Sequence, residues 1–548
     1  MARPLRNAPT LLLVAALVVA AAMILVLTWH YTFLQDTWEF LMNRRAFDAN
    51  SILRPHNEHI VVIPVLFEQL FLRVFGMDTA KPEIFLLTLS LLASAALLFV
   101  YLRRRVDAWL ALFGAVLILC LGPAWELLLW PFEVSLVGSV LFGLAMLLAL
   151  ERDDRFGDVG ACLFLVLSFG FSSLGIPFAV AAFVAVLQSP RGRRLGRAFV
   201  VVVPVALYAL WYLGWGHDAE SHLAARNVLA SPRFVAEAMA VGVGNLFGLG
   251  TNPVDGMTEK IWGSALLLLL VVGLVAYKRR RPGIDPRFWP AAAAAAANWF
   301  LLAFNQMPGR DPVSSRYQYA SCIFLLMMGA NLLAGERLGR RGVIVGAVVT
   351  ALAIGPNVTV LENGSDFFDH QTVFTRTDTK AVEIARRTVA PEFQLSPEVA
   401  GTPGLVDITA GEYLEAVDEY GSPAYSLPEL EAAAPEARRQ ADIVLAAALP
   451  LNARVRLGVF DRGGAENCVT IAGGQPEEVR IDPGATRVEV ASGPEATISM
   501  RRFASGEYPV DLASAEGGST TILRVPRDEA PNPWYLHVDA EQAARVCR

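Results

Sequence analysis

Asp36 and Glu39 stand three residues apart just after the first long apolar run, in Gln35-Asp36-Thr37-Trp38-Glu39. On a helix that spacing shares one face. Two carboxylates so placed supply a general base together with a second acid or a metal ligand, or they are acids of an interfacial helix that face water. In Arg54-Pro55-His56-Asn57-Glu58-His59, three potential ligands (His56, Glu58 and His59) fall within four positions. The spacing is not HExxH, and no Cys or His cluster elsewhere completes a metal site. Hydrogen bonding to a sugar, or a structural role, therefore stands beside metal binding. Trp125 and Glu126, in the segment 122–133, either anchor a membrane interface or stack on and hydrogen-bond a sugar ring. Arg310, Arg316 and Tyr317 close a polar segment, 305–317. Two guanidiniums there suit a phosphate group held through charge-assisted forks, with salt bridges to Asp311 or to the first loop as the structural alternative.

The elements that must position these residues are apolar helices. The chain has 548 residues, 54% hydrophobic and 18% charged, with a mean hydropathy of +0.44, which excludes an ordinary soluble enzyme. Eleven runs of membrane-spanning character fall near 10–29, 83–102, 107–122, 134–150, 158–172, 174–188, 198–215, 261–277, 288–304, 319–334 and 342–357. The first follows Arg3 and Arg6 as a signal peptide would, but its length and the many runs after it favour a retained helix. The stretch 60–75 carries Glu68, Gln69 and Arg73 and reads as an interfacial helix. No acid or base lies near the middle of any span, only Asn298 and Asn331, which counts against ion-coupled transport. The chain has no GxxxxGK[ST] loop and no dense basic surface, so nucleotide-driven chemistry and nucleic-acid binding have no visible site. Asp153-Asp154, between Arg152 and Arg155, reads as a solvated charge cluster.

Basic residues set the expected orientation. With the N-terminus in the cytoplasm, alternate loops carry 19 Lys and Arg, against about 10 on the much longer opposite loops. An odd number of spans then places 358–548 outside the cytoplasm. That tail has a net charge of −13, against +7 for 1–357, which divides the chain into domains facing different solvents: a membrane domain 1–357, a helical segment 358–450 and a β-rich domain 451–548. Helices are expected over 376–389, 408–420 and 427–449, with Ser426 and Glu429 as a capping box. Short alternating runs (455–460, 479–481, 487–490 and 521–525) suggest a small β-sandwich. Cys120, Cys162 and Cys322 lie in apolar spans and read as buried thiols. Cys468 and Cys547 can pair in an oxidising compartment or stay as two unrelated thiols.

The whole pattern resembles the GT-C superfamily of polytopic membrane glycosyltransferases. The carrying features are the cytoplasmic start, the acids just after helix 1 (Asp36, Glu39) and the long first external loop with its interfacial helix. The late Arg316-Tyr317 element and the soluble external tail complete it. The resemblance covers nearly the whole chain, but its motifs are short. It implies a GT-C-like, mainly α membrane domain of about eleven spans followed by an extracytoplasmic α+β domain ending in a small β-sandwich, in a multi-pass protein of a cell membrane, and the high Ala, Arg and Gly usage suggests a bacterial source. It also implies a sugar donor linked to polyprenyl phosphate and an acceptor that is an envelope glycan, lipid or protein. Asp36 would then deprotonate the acceptor hydroxyl with help from Glu39, a divalent metal could join these acids, and Arg316 with Arg310 would neutralise the departing lipid phosphate. The Asp-x-x-Glu spacing departs from the adjacent acids of several members, which leaves open which acid is the base. A polymerase or ligase of lipid-linked glycans and a non-catalytic envelope assembly or export component are the competing readings.

Overall fold

The computed structural model describes residues 7–547 except 220, 221, 223, 251–256, 397–398, 458–467, 475–476, 491–495 and 516–517. In chain order the helices are α1 (Ala8–Thr28), α2 (Thr37–Asn43), α3 (Ala49–Leu53), α4 (Val62–Phe75), α5 (Lys81–Arg103), α6 (Ala108–Leu119), α7 (Trp125–Leu129), α8 (Val134–Leu150), α9 (Arg155–Phe171) and α10 (Gly175–Gln188). They continue with α11 (Arg191–Arg197), α12 (Phe199–Gly214), α13 (Ala225–Leu246), α14 (Met257–Arg280), α15 (Phe288–Phe304), α16 (Ser315–Leu332), α17 (Arg340–Ile384), α18 (Ala410–Tyr420), α19 (Leu427–Ala432) and α20 (Pro435–Ala448). Each of the eleven apolar runs coincides with one of these helices. Among the described residues six helices are long and apolar enough to cross a membrane, or seven if the bent pair α6–α7 is one span. Three features depart from the sequence reading. The stretch after α12, read as an external loop, contains the 22-residue helix α13. Helix α17 does not stop near 357 but runs 45 residues. The expected 427–449 helix is broken in two, at Ala433.

The chain forms two compact units, discontinuous in sequence: Met1–His30, Arg44–Phe71 and Lys81–Phe368 make one, and Tyr31–Asn43, Leu72–Ala80 and Asp369–Arg548 the other.

In the first unit the basic loops meet in one rim. Arg104 and Arg105 both pair with Glu151, Arg104 at 2.9 Å, and Arg105 Nε also donates to Asn331 at 2.8 Å. Arg193 and Arg197 pair with Asp153 at 2.8 and 3.1 Å, and Arg197 with Asp158 at 2.7 Å. Arg281 pairs with Glu336, and Gly335 N–H donates to Arg105 O at 2.8 Å. The guanidiniums of Arg105 and Arg197 are buried, and a buried cation without a carboxylate is costly, which explains the scattered acids in otherwise basic loops. Asp154 is the N-cap of α9, accepting from Gly157 N–H. Helix α16 spans the unit from this rim: Asn331 is bonded to Arg105 at one end, and Arg316 lies fifteen residues away, roughly 22 Å of helix rise.

The second unit is built on an apolar core joining α2, the C-terminal part of α17, α18, α20 and the strands. Capping boxes start α18 (Thr409, Glu412) and α19 (Ser426, Glu429), each satisfying orphan N–H groups at a helix start. The strands are β1 (Asn452–Leu457), β2 (Cys468–Ile471), β3 (Glu477–Ile481), β4 (Gly484–Val490), β5 (Ala496–Arg501), β6 (Val510–Ala515), β7 (Ser519–Val525), β8 (Trp534–Ala540) and β9 (Ala544–Cys547). The end of the expected 455–460 run lies outside the described residues. The strands pair antiparallel into a five-stranded sheet, β1-β7-β4-β9-β2, and a four-stranded one, β3-β8-β5-β6. Alternation on β7 and β8 buries Leu523, Val525, Trp534, Leu536 and Val538.

Cys468 and Cys547 lie opposite each other on β2 and β9 and form a disulfide across 79 residues of sequence. It ties the edge strand β2 to its neighbour, and closing so long a loop is worth roughly 4 kcal/mol in the chain-entropy account. Reduction is therefore expected to lower the Tm of the tail in calorimetry. A Cys468→Ser, Cys547→Ser variant should show the same drop and no further response to reductant.

Candidate functional site

In the first unit the His-Asn-Glu-His segment is a two-residue turn. His56 and His59 exchange both backbone hydrogen bonds, at 3.0 and 2.9 Å. Asn57 takes φ +49°, the left-handed region that Asn tolerates better than most residues. The chain entering the turn is held by buried Arg44, which donates to the carbonyls of Arg54 and Pro55, both at 2.8 Å. Ser173 grips the turn from the α9–α10 connection: its hydroxyl donates to Glu58 O at 3.2 Å and accepts from Ile60 N–H at 3.3 Å. Tyr208 OH lies 3.2 Å from Ser173 Oγ, and Ser172 Oγ lies 3.5 Å from His59 Nδ1.

The arginine-bearing loop is equally ordered. Met307-Pro308-Gly309-Arg310 is a tight turn with Arg310 N–H on Met307 O at 2.9 Å and Gly309 at φ +83°. Pro then Gly is the pairing this turn type demands, Pro for its preset φ and Gly for the left-handed position. Gln318 Nε2 donates to Pro312 O at 2.7 Å and Asn227 Nδ2 to Phe304 O at 2.9 Å and Gln306 O at 3.0 Å, so the loop is pinned on both sides.

These two pieces converge. The Arg310 guanidinium forks onto both Glu58 oxygens, the second contact at 3.1 Å. Arg316 Nε donates to Glu126 Oε2 at 3.2 Å, and Glu126 N–H donates to Ser315 Oγ at 3.1 Å. Arg316 is the more open of the two cations, its side chain 42% exposed against 19% for Arg310. Tyr317 lies within the fields of Arg310, Arg316, Glu58 and Glu126, and the His56 ring meets Phe132 edge-on at 5.1 Å. Of the residues singled out in sequence, His56, Glu58, His59, Glu126, Arg310, Arg316 and Tyr317 therefore gather at the end of the unit opposite the arginine rim. Trp125 is buried beside them, its ring against Phe367 and Phe368 at 5.3 and 5.1 Å.

Burial and the positive field of His56, Arg310 and Arg316 hold the His59 imidazole down to about 4, against the pull of Glu58. Burial raises the Glu58 carboxyl, but His59 and Arg310 outweigh it and leave the group below its ordinary range. The folded state thus refuses a proton on His59 that the unfolded chain accepts near pH 6.5. The stability this contributes is complete above about pH 6.5 and is lost as pH falls toward about 4. Thermal unfolding of His59→Gln should show a flatter pH dependence than wild type across that window; parallel curves would remove His59 as the cause.

Asp36 and Glu39 belong to the second unit. Asp36 sits in the turn directly before α2, Glu39 in the first turn of that helix, and Glu39 N–H donates to Asp36 O at 3.2 Å. Both are half-buried. Between them Trp38 is fully buried, with Nε1 donating to Phe33 O at 3.0 Å and its ring edge-on to Phe33 and Tyr413 at 6.2 and 6.0 Å. Gln35, at φ +46°, donates to Gln371 at 2.8 Å. The acidic motif is therefore part of the tail's core. Among the described residues no three His, Cys, Asp or Glu side chains gather closely enough to hold a metal ion by themselves.

The sequence reading overlooked Ser172, Ser173 and Tyr208; two adjacent serines closing an otherwise apolar run are the signal that could have found them. It also overlooked the hydrogen bond between Glu68 and Glu83: burial pushes the Glu68 carboxyl above its ordinary range.

The chain matches no family model and no curated protein. Among solved structures it is similar to the crystal structure of ArnT from Cupriavidus metallidurans bound to undecaprenyl phosphate. The identity is 14%, 76% of this chain and 89% of that chain are covered, and the TM-score is 0.42.

Proposed function

We propose that this chain is an integral-membrane glycosyltransferase that takes a sugar from a polyprenyl-phosphate donor and passes it to a cell-envelope glycan, lipid or protein on the extracytoplasmic face. The observation that carries this reading is the gathering of Arg310 and Arg316, each already oriented by a glutamate, at the end opposite the basic rim. A membrane protein concentrates its positive charge in the loops of the other rim, and two guanidiniums held in place here by glutamates present the fork geometry that matches a phosphate.

On this reading the arginines receive the leaving phosphate as negative charge develops on it, which is where preorganised donors stabilise a transition state most. Asp36 is the proposed base for the acceptor hydroxyl, assisted by Glu39, and the single displacement inverts the anomeric carbon. The pairing of both arginines with glutamates favours a second reading, in which they only clamp the loops together.

Thermal-shift binding of polyprenyl phosphate to the full chain separates the two. The lipid should stabilise wild type. Arg316→Ala should weaken that binding by at least tenfold while leaving acceptor binding intact, and equal losses of donor and acceptor binding would contradict the assignment.

A further inference from the structure

We propose that the outer face of the five-stranded sheet is a docking surface for an acidic glycan, a saccharide chain with repeated carboxylate or phosphate groups. It would lie along a track of arginines (Arg454, Arg524, Arg487 and Arg545) on the adjacent strands β1, β7, β4 and β9. This goes beyond the transfer reading and does not depend on it.

The track follows from the register. Arg454 and Arg487 both stand opposite Ile522 of β7, and Arg524 is two residues further along that strand. Arg545 stands opposite Glu489, two residues on from Arg487. Residues opposite each other, or two apart on one strand, share a face. Each arginine is thus a diagonal neighbour of the next, with about 7–8 Å between backbones. The face is the outer one, because the alternate residues Val488, Leu523, Val525 and Val546 are buried. Arg454, Arg487 and Arg524 are exposed and Arg545 is half-buried.

Charge sets this face apart. Residues 358–548 carry 30 Asp and Glu against 17 Lys and Arg, and arginines elsewhere in the tail find acids: Arg386 meets Asp418, Arg387 Glu529, Arg501 Glu478 and Arg502 Asp528. Among the described residues the four on the sheet make no ion pair and no side-chain hydrogen bond. The one acid that these strands add to the face is Glu489, which is buried. Guanidiniums spaced within a Debye length of about 8–10 Å repel one another, although the domain has acids to spare for them. A chain of anions relieves that repulsion, and each arginine offers it a planar fork.

The rest of the face selects among polyanions. Thr470, opposite Arg545, and Thr520, opposite Glu489, are accessible hydroxyls that can bond to those of a sugar. Ile522, between Arg454 and Arg487, is an apolar spot for the C–H face of a ring. The five strands contain no aromatic residue, which counts against stacked bases and against a lipid headgroup layer, where Trp and Tyr gather.

Isothermal titration calorimetry on the full chain in nanodiscs of neutral phosphatidylcholine tests this. The acidic probes are an oligogalacturonate octamer and a phosphomannan fragment of similar length, with maltooctaose as the neutral comparator. At least one acidic probe should bind saturably, at least tenfold tighter than maltooctaose, and more weakly as salt is raised. Arg487→Gln combined with Arg524→Gln should weaken that binding at least tenfold with Tm unchanged. Arg439→Gln combined with Arg480→Gln removes the same charge away from this face and should leave binding as it is. So should Arg316→Ala, which makes failure here distinguishable from failure of the lipid-phosphate site. The proposal is overturned by absence of saturable binding of both acidic probes, by equal binding of maltooctaose, or by wild-type binding in the folded Arg487, Arg524 variant. An equal loss in the Arg439, Arg480 variant, or tighter binding of a glutamate octapeptide or of phosphatidylglycerol vesicles, would overturn it as well.

Discussion

Asp36→Asn is expected to lower sugar transfer by about 10²–10⁴-fold, the usual span for removing a general base, with expression and Tm unchanged. Asn has the volume of Asp, so the substitution leaves the packing of the turn unchanged. Trp38 is the residue sealed into the core, with its indole N–H on Phe33 O, whereas Asp36 is half-buried in the turn before α2. Asn keeps the shape and loses only the basic oxygen. Transfer from a radiolabelled polyprenyl-phosphate sugar, with scanning fluorimetry alongside, reads both quantities. Glu39→Gln should cost less, as an assisting group would. Wild-type transfer by a folded Asp36→Asn protein would remove Asp36 from the mechanism.

The second large effect is an opposition between the two halves of one ion pair. Arg310→Ala should lower polyprenyl-phosphate affinity by about 10- to 100-fold, since a hydrogen bond to a charged group contributes about 1.5–3 kcal/mol. Glu58→Gln should leave that affinity equal or raise it, because Arg310 no longer has a carboxylate to give up. Both should lower stability modestly, the pair being only partly shielded from water. A double-mutant cycle measures the coupling. If both single variants lose stability alike and neither changes lipid-phosphate affinity, Arg310 and Glu58 are a clamp and nothing more.

Much of the architecture was legible because an apolar run of span length has little choice but to become a helix, and all eleven did. Helix α13 escaped because Arg226, Arg233 and Glu237 lie outside its buried face, and that face mixes Ala, Gly and Val with Asn227, Ser231 and Asn245. Such a helix reads as polar loop until its neighbours are known. The continuity of α17 escaped for a related reason: Pro356 and the change from apolar to polar composition look like a boundary, yet the helix accommodates the proline and runs on to Ile384.

The candidate site divides the same way. Of the local chemistry only the Ser426–Glu429 capping box was read from the sequence; the turn at Met307–Arg310, the left-handed Asn57 and the Thr409–Glu412 box came with the structure. Which carboxylate each arginine would meet was open, because Glu58 and Arg310 are 252 residues apart and Glu126 and Arg316 190.

By itself the amino-acid order determined the eleven apolar helices, the uneven distribution of basic residues between alternate loops and the two textures of the tail, since each depends on hydrophobic period, charge and turn chemistry within a few neighbours. Only the tertiary structure decided that Glu58 and Glu126 orient Arg310 and Arg316, that the Asp36 motif is packed into the tail's core, and that Cys468 faces Cys547. Those outcomes rest on contacts between distant segments, whose register is set by burying apolar surface and pairing charge across the whole fold, a condition no local stretch contains.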